Sequence, residues 1–187
     1  MLPISAEHQT MKDELKHRRI AASLLLPGAG YRYFFAYDTL MSEQNLKKIC
    51  PDPKLVGIAY YESRRWLLNT SGKATITPRK VFRVYGTVWL IHDIDLAALD
   101  LYHGVPQEFD RFGALATLVD GRRCGAEFYA TRGRPPAAEG ASNVVPILQI
   151  ARRLGFPPSY IEELSSWSKG TAGQNSQVRR SAQARET

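Results

Sequence analysis

The sequence predicts an α+β fold in which a mixed β-sheet or small β-barrel is flanked by helices. A chain of 187 residues with 44% apolar residues is long enough to bury one hydrophobic core. Strand patterns interleave with helical patterns along the chain, and two strand patterns flank the turn Asp120-Gly121 as in a hairpin. Because a hairpin makes its strands antiparallel, a purely parallel, doubly wound sheet is not predicted.

The first 30 residues are interpreted as an N-terminal appendage. Residues 7–26 have the pattern of an amphipathic helix, which Pro27-Gly28-Ala29-Gly30 ends. The apolar run 20–26 is too short to span a bilayer, and the acidic residues before it are not typical of a secretion signal. The folded domain is therefore predicted over residues 31–167.

The domain opens with a strand that leads into a short helix. Residues 31–37 are rich in aromatic side chains, which is typical of a strand. Thr39 or Ser42 then caps a short helix over residues 43–49, and Pro51 ends that helix.

Two β regions follow this helix. Residues 55–68 alternate well enough for one or two strands, and a Ser71-Gly72 turn leads to a short extended segment at 74–76. Residues 81–91 are rich in β-branched and aromatic side chains. They are the clearest strand in the chain.

A helix is predicted directly after this strand. Asp93 is a suitable N-cap, Leu96 and Leu99 contribute to an apolar face, and Gly104 is a suitable C′ residue. His103 is therefore expected at the C-terminal end of the helix.

The C-terminal part of the domain contains a hairpin and two helices. The hairpin strands are predicted over residues 112–119 and 124–131, and the helices over 143–154 and 158–167. The side chains expected to face inward on the first of these helices are Val145, Leu148, Ile150 and Ala151. Residues 168–187 lack an apolar period and are predicted to be a disordered basic tail.

The formal net charge of +7 does not indicate nucleic-acid binding, because its distribution is uneven. The tail 168–187 holds four basic residues and one acid, and the other basic residues are scattered or occur as doublets. Basic stripes with interleaved aromatic residues, which nucleic-acid binding favours, do not occur in the sequence. We therefore expect neither a nucleic-acid partner nor a membrane partner, and the sequence leaves the oligomeric state open.

The cysteines and histidines indicate neither a disulfide framework nor a metal site. Cys50 and Cys124 lie far apart and have no CxxC spacing, so reduced thiols in a cytoplasmic protein are predicted. The spacing of the four histidines is not typical of metal ligands; they are His8, His17, His92 and His103.

Two turns are candidates for a functional site. In the first, Tyr37-Asp38-Thr39-Leu40-Met41, backbone N–H groups at a helix start could form an anion cradle, or the turn is an ordinary connection capped by Asp38 or Thr39. In the second, His103 at a helix C-terminus is either catalytic or a structural residue that the helix dipole favours.

Four segments carry a family resemblance, in order and with compatible spacing. They are Phe34-Phe35-Ala36-Tyr37-Asp38-Thr39-Leu40-Met41, Gly72-Lys73-Ala74-Thr75-Ile76, Val84-Tyr85-Gly86-Thr87-Val88-Trp89 and His103-Gly104-Val105-Pro106. Together they resemble the motifs of the γ-glutamylcyclotransferase (AIG2-like) family, and the resemblance extends over residues 31–167.

The resemblance implies a reaction within one substrate molecule. The α-amine of a γ-glutamyl amine or dipeptide attacks its own γ-carbonyl, which forms 5-oxoproline and releases the amine, and no cofactor or metal is needed. It implies that His103 occupies the position of the general base. The residues that it implies for substrate binding are Tyr37, Asp38, Thr39, Leu40, Met41 and Gly72.

The chain departs from the family pattern at the two positions that matter most. His103 stands where the family has glutamate, and Asp38 stands where the loop has glycine; Phe109 also replaces a frequent tyrosine. Glu108 is an alternative carboxylate.

Two interpretations of these departures remain. In the first, the site is active: a neutral imidazole with an ordinary pKa near 6.5 acts as the base, or Asp38 and His103 pair and accept a different substrate. In the second, the protein has lost catalysis and acts as a small-molecule binding or scaffold protein.

Overall fold

The structure, a computed structural model, describes residues 24–131 and 144–168. The elements within these ranges are β1 (Leu24–Leu25), β2 (Tyr31–Ala36), a 3₁₀ turn (Thr39–Met41), α1 (Glu43–Leu46), β3 (Lys54–Leu68), β4 (Ala74–His92), α2 (Asp95–His103), β5 (Asp110–Leu118), β6 (Arg123–Ala130), α3 (Val144–Arg153) and α4 (Pro158–Ser168). The predicted α+β class is confirmed.

Five of the strands close into a small barrel. The strand order is β1-β6-β2-β4-β3-β5, and an additional pairing of β5 with β6 joins the two sides of the sheet. Most neighbours are antiparallel, whereas β2 and β6 are parallel at the pair Phe34 and Glu127, so the sheet is mixed. The hairpin predicted around Asp120-Gly121 is the antiparallel pair β5–β6.

Strands β3 and β4 form one long hairpin, which corrects the predicted division at residues 74–76 and 81–91. Leu68 pairs with Ala74, and the ladder continues to Lys54 and Leu90. A register shift between Glu62 and Arg64 interrupts this ladder.

Gly86 allows strand β4 to approach β2 closely. A Cβ atom at this position would lie 2.2 Å from the carbonyl oxygen of Ala36 and 2.7 Å from Cζ of Phe35. Any larger residue would push β2 away. Because the loop that carries Asp38 begins where β2 ends, this glycine helps to set the position of that loop.

The predicted N-terminal helix is wrong at its last residues. Leu24 and Leu25 form a strand that pairs in parallel with Arg123 and Cys124 of β6. The remainder of that predicted helix lies outside the described residues, as do the loop 132–143 and the predicted basic tail from residue 169 onward.

Helix α2 ends as predicted but begins differently. Gly104 adopts the left-handed conformation (φ 66°) that a C′ glycine provides. Ile94, not Asp93, is the N-cap, and no side chain caps this end. Asp93 instead contributes backbone groups: its N–H donates to the Gly30 carbonyl at 3.0 Å.

Helices α3 and α4 cover part of the barrel. The buried residues of α3 are Val144, Ile147, Leu148 and Ala151, the i, i+3, i+4, i+7 pattern of one helix face. The expected inward face is thus correct at Leu148 and Ala151 but wrong at Val145, which is 44% exposed. Over the described ranges, every helix is too short or too polar to cross a membrane.

Candidate active site

A pocket of about 360 Å³ lies between the loop after β2, the turn before β4 and the C-terminal end of α2. Its lining residues are Asp38, Thr39, Gly72, Lys73, Ala74, Tyr102, His103, Phe109 and Ile147. Four residues that the sequence singled out, Asp38, Thr39, Gly72 and His103, therefore meet in one cavity.

The other three residues expected in the site support the loop from behind. Tyr37, Leu40 and Met41 are buried in the core and do not line the pocket. The Tyr37 hydroxyl donates a hydrogen bond to the Tyr129 carbonyl, and the Trp66 indole N–H donates to the Tyr37 carbonyl at 3.2 Å. These contacts fix the backbone from which Asp38 and Thr39 project.

The loop amides expected to cradle an anion are partly engaged by Asp38 itself. The Leu40 N–H donates to Oδ1 of Asp38 at 2.8 Å, and the Met41 N–H donates to the Asp38 carbonyl at 3.2 Å. Asp38, rather than Thr39, is thus the N-cap of the 3₁₀ turn, and Ser42 makes no side-chain cap of α1. The chain supplies its own carboxylate to this turn.

Burial raises the pKa of the Asp38 carboxyl to about 6, although hydrogen bonds from the Leu40 and Asp38 N–H groups act in the opposite direction. Burial raises the pKa values of Tyr37 and Tyr102, and the charge of the Asp38 carboxylate raises them further. The Thr39 side chain acts on the pKa of Tyr102 in the opposite direction, so loop and helix lie close together at the pocket wall.

His103 forms the opposite wall and is 8% exposed. Its ring stacks on Tyr129, with centroids 4.1 Å apart and planes 12° apart, and it meets the edge of Phe109 at 5.4 Å. Its Nε2 atom is buried and has no hydrogen-bond partner among the described residues.

Burial, and secondarily the charge of Lys73, lowers the pKa of His103 to about 3. The imidazole is therefore neutral throughout the physiological pH range. This differs from the ordinary pKa near 6.5 that the sequence suggested for a histidine base.

A chain of polar contacts holds Tyr129 in place beneath His103. The Tyr129 hydroxyl donates to Oδ1 of Asp100 at 2.7 Å, and Nη1 of Arg111 pairs with Oδ2 of Asp100 at 3.2 Å. Sequence reasoning missed Tyr129, because it is an ordinary strand residue that only the barrel brings under α2.

Lys73 lines the pocket, although the sequence assigned it no role in the site. Its ammonium forms an ion pair with Glu108. Its backbone N–H donates to Oδ1 of the buried Asn69 at 2.9 Å. The Glu108 carboxylate thus neutralises Lys73 and is not among the lining residues, so it does not supply the alternative carboxylate of the pocket.

The described ranges 24–131 and 144–168 contain no group of three or more His, Cys, Asp or Glu residues placed to hold a metal ion. Cys50 and Cys124 are buried free thiols, and burial raises their pKa values to about 12 and about 11. Neither cysteine lines the pocket.

Comparison with known proteins gives one family match and several fold matches. The family model described as "Gamma-glutamyl cyclotransferase, AIG2-like" matches residues 34–145. A solved gamma-glutamyl cyclotransferase structure is 20% identical with a TM-score of 0.66, and the match covers 73% of this chain and 88% of that one.

Two further solved structures have the same fold. An uncharacterized protein from Homo sapiens, loc79017, is 20% identical with a TM-score of 0.66, over 74% of this chain and 88% of that chain. YkqA from Bacillus subtilis is 16% identical with a TM-score of 0.63, over 82% and 58%. At these identities the structural likenesses establish the fold alone. No curated protein matches by sequence.

Proposed function

The chain belongs to the gamma-glutamyl cyclotransferase, AIG2-like family, and we propose that it cyclises a γ-glutamyl amine or dipeptide to 5-oxoproline, with release of the amine or amino acid. The observation that carries this proposal is the single pocket in which Asp38, Thr39, Gly72 and His103 meet. Its volume of about 360 Å³ suits a small amino-acid derivative.

The charges of the pocket support a substrate that carries an ammonium group. Among the described lining residues, Asp38 is the one acid, and the cation Lys73 is already paired with Glu108. His103 is neutral because its pKa is lowered to about 3. The α-ammonium of a γ-glutamyl group complements this distribution, since a carboxylate attracts it and no unpaired cation repels it.

For His103 we propose substrate contact rather than proton abstraction. An imidazole whose pKa is lowered to about 3 is a weak proton acceptor at neutral pH. Its buried Nε2 lacks a partner among the described residues, so a hydrogen bond from the substrate would satisfy it. This assignment replaces the base role that the family position alone suggested.

A second candidate function is small-molecule binding without turnover. It is favoured by one specific observation: the Leu40 N–H, which belongs to the predicted anion cradle, is bonded to Oδ1 of Asp38. A protein of this kind would bind the same class of ligand but would release no 5-oxoproline.

One experiment separates the two candidates. We would incubate the full chain with a panel of γ-glutamyl amines and dipeptides, quantify 5-oxoproline by mass spectrometry and measure binding of the same compounds by calorimetry. Turnover of at least one compound is the expected result. Saturable binding without product would favour the binding protein, and the absence of both would refute the proposal.

The matched control for this experiment is Asp120→Asn, an acid-to-amide change in the exposed β5–β6 turn. Asp120 pairs there with Arg122, and the nine-residue strand β5 separates the turn from the pocket. Its turnover should equal that of the parent.

A further inference from the structure

We propose that Asp38 is the catalytic proton acceptor of this pocket, in place of the glutamate that the family carries at the position of His103. The inference rests on the proposed cyclisation and assigns its proton transfers. It moves the essential carboxylate from the wall that His103 of α2 forms, the helix wall, to the wall that Asp38 of the loop after β2 forms, the loop wall.

The position of Asp38 supports this role. It lines the cavity together with His103, Tyr102 and Lys73, and it is the one acid among the described lining residues. The Leu40 N–H holds Oδ1 at 2.8 Å, so the carboxylate is oriented before a ligand arrives. A general base must be fixed within hydrogen-bond reach of the proton that it takes, and this bond fixes it at the cavity wall.

Each titratable group described around Asp38 is a poorer proton acceptor than Asp38 itself. The titratable and charged groups around it are Tyr37 on its own segment, Tyr102 and His103 from α2, and Lys73, which is paired with Glu108. Burial raises the pKa values of both tyrosines, so they remain protonated at neutral pH. The Lys73 cation is paired, and His103 is a weak base.

The environment of Asp38 also suits a group that must accept a proton and then return it. Burial raises its pKa to about 6, so the carboxylate is ionised at neutral pH and yet holds a proton more readily than an exposed aspartate. The site therefore combines an ionised base in the resting state with a competent acid in the next step.

Asp38 carries two protons from the attacking nitrogen to the leaving nitrogen during the cyclisation. Asp38 takes one proton from the α-ammonium, and the neutral amine attacks the γ-carbonyl carbon, which forms the new C–N bond and places the carbonyl electrons on oxygen. The protonated Asp38 gives its proton to the leaving nitrogen as the old C–N bond breaks and the carbonyl re-forms. The ring nitrogen then gives its second proton to Asp38, which passes it to the departing amine.

The test compares Asp38→Asn with the matched control Asp120→Asn, using kcat/KM for 5-oxoproline release across pH 4.5–9. An asparagine keeps an oxygen for the Leu40 N–H but cannot accept the proton, so the fold is retained while the chemistry is lost. The parent rate should rise with pH to a plateau above about pH 6. Asp38→Asn should lose about 10²–10⁴-fold, the usual contribution of a general base, and Asp120→Asn should match the parent.

Chemical rescue provides a second readout that a structural role would not produce. Asp38→Gly removes the carboxylate and leaves room for a small one, so added formate should raise its kcat/KM at least tenfold and should have no effect on Asp38→Asn. Thermal unfolding of each variant verifies that it is folded.

The outcomes are distinct. If the parent releases 5-oxoproline and Asp38→Asn keeps its rate within threefold, the role of Asp38 is refuted and the proposed function stands. Loss in Asp38→Asn without rescue of Asp38→Gly by formate would also overturn proton transfer by Asp38. If the parent releases no product from any substrate, both proposals fail together.

Discussion

The two walls of the pocket respond to the same physical condition in opposite ways. Burial penalises the charged form of any titratable group. On the helix wall it leaves His103 neutral, with its pKa lowered to about 3, and on the loop wall it raises the pKa of Asp38 to about 6. Near neutral pH the helix wall therefore presents an uncharged ring, whereas the loop wall presents a carboxylate.

The local backbone explains why the carboxylate is better supported on the loop. The loop offers N–H donors from Leu40 and from Asp38 itself, which stabilise a negative charge. His103 stands in the last turn of α2, where the helix dipole is negative and disfavours a carboxylate. A pocket can therefore keep a carboxylate although the residue at the expected position is uncharged.

The strongest test of this comparison moves the carboxylate from the loop wall to the helix wall. Asp38→Gly alone should lower kcat/KM for 5-oxoproline release by about 10²–10⁴-fold, since it removes the proton acceptor. Adding His103→Glu restores the family arrangement and should recover most of that loss. His103→Glu alone is the control, and a double variant no better than Asp38→Gly would show that the walls are not interchangeable.

The next largest effect concerns the support of the helix wall. Tyr129→Ala removes the ring on which His103 stacks and should destabilise the fold by about 3–5 kcal/mol, as for other buried aromatic residues. Tyr129→Phe keeps the stack but loses the bond to Asp100, and should cost about 1–2 kcal/mol. Urea unfolding measures both, and equal losses would contradict a packing role for the ring.

Much of this site follows from the sequence because it depends on local structure. The turn chemistry of Gly104 places His103 at a helix end, and the aromatic strand before Asp38 places that residue in a loop. The strong turn at Asp120-Gly121 likewise identifies the hairpin. Each of these signals acts over a few residues.

Other features depend on contacts between distant segments and leave no local signal. Tyr129 lies beneath His103 only because the barrel brings strand β6 to helix α2. The two-residue strand β1 exists through its pairing with Arg123 and Cys124, about 100 residues along the chain. The lowered pKa of His103 results from its burial, and the burial of a single residue cannot be predicted from the sequence alone.

A smaller effect is expected in the pH dependence of stability. The folded-state pKa of His103 is lowered to about 3. Its contribution is therefore fully present above the unfolded-state pKa of about 6.5 and is lost as the pH falls toward 3. Between pH 7 and pH 4 the parent should lose about 3 kcal/mol through this residue. His103→Gln should flatten that loss in urea unfolding, and an unchanged slope would contradict a buried neutral ring.

The smallest effect has the opposite sign and comes from Asp38. Its folded-state pKa is raised to about 6, so its favourable contribution is present below the unfolded-state pKa of about 3.9 and is lost as the pH rises through 6. Asp38→Asn should therefore stabilise the fold at pH 7.5, by about 1–2 kcal/mol for a partly buried acid. The control Asp120→Asn should instead destabilise slightly, because Arg122 lowers the pKa of Asp120. Equal signs for the two variants would contradict the burial of Asp38.

One paired measurement decides whether the loop wall or the helix wall performs the proton transfer. It is the kcat/KM for 5-oxoproline release by Asp38→Asn and by His103→Gln at pH 7.5, under identical conditions. We expect a loss of at least 100-fold for Asp38→Asn, in the range of a lost general base, and of less than about tenfold for His103→Gln, the scale of one hydrogen bond. The reverse order, with His103→Gln nearly inactive and Asp38→Asn nearly unchanged, would contradict proton transfer by the loop wall.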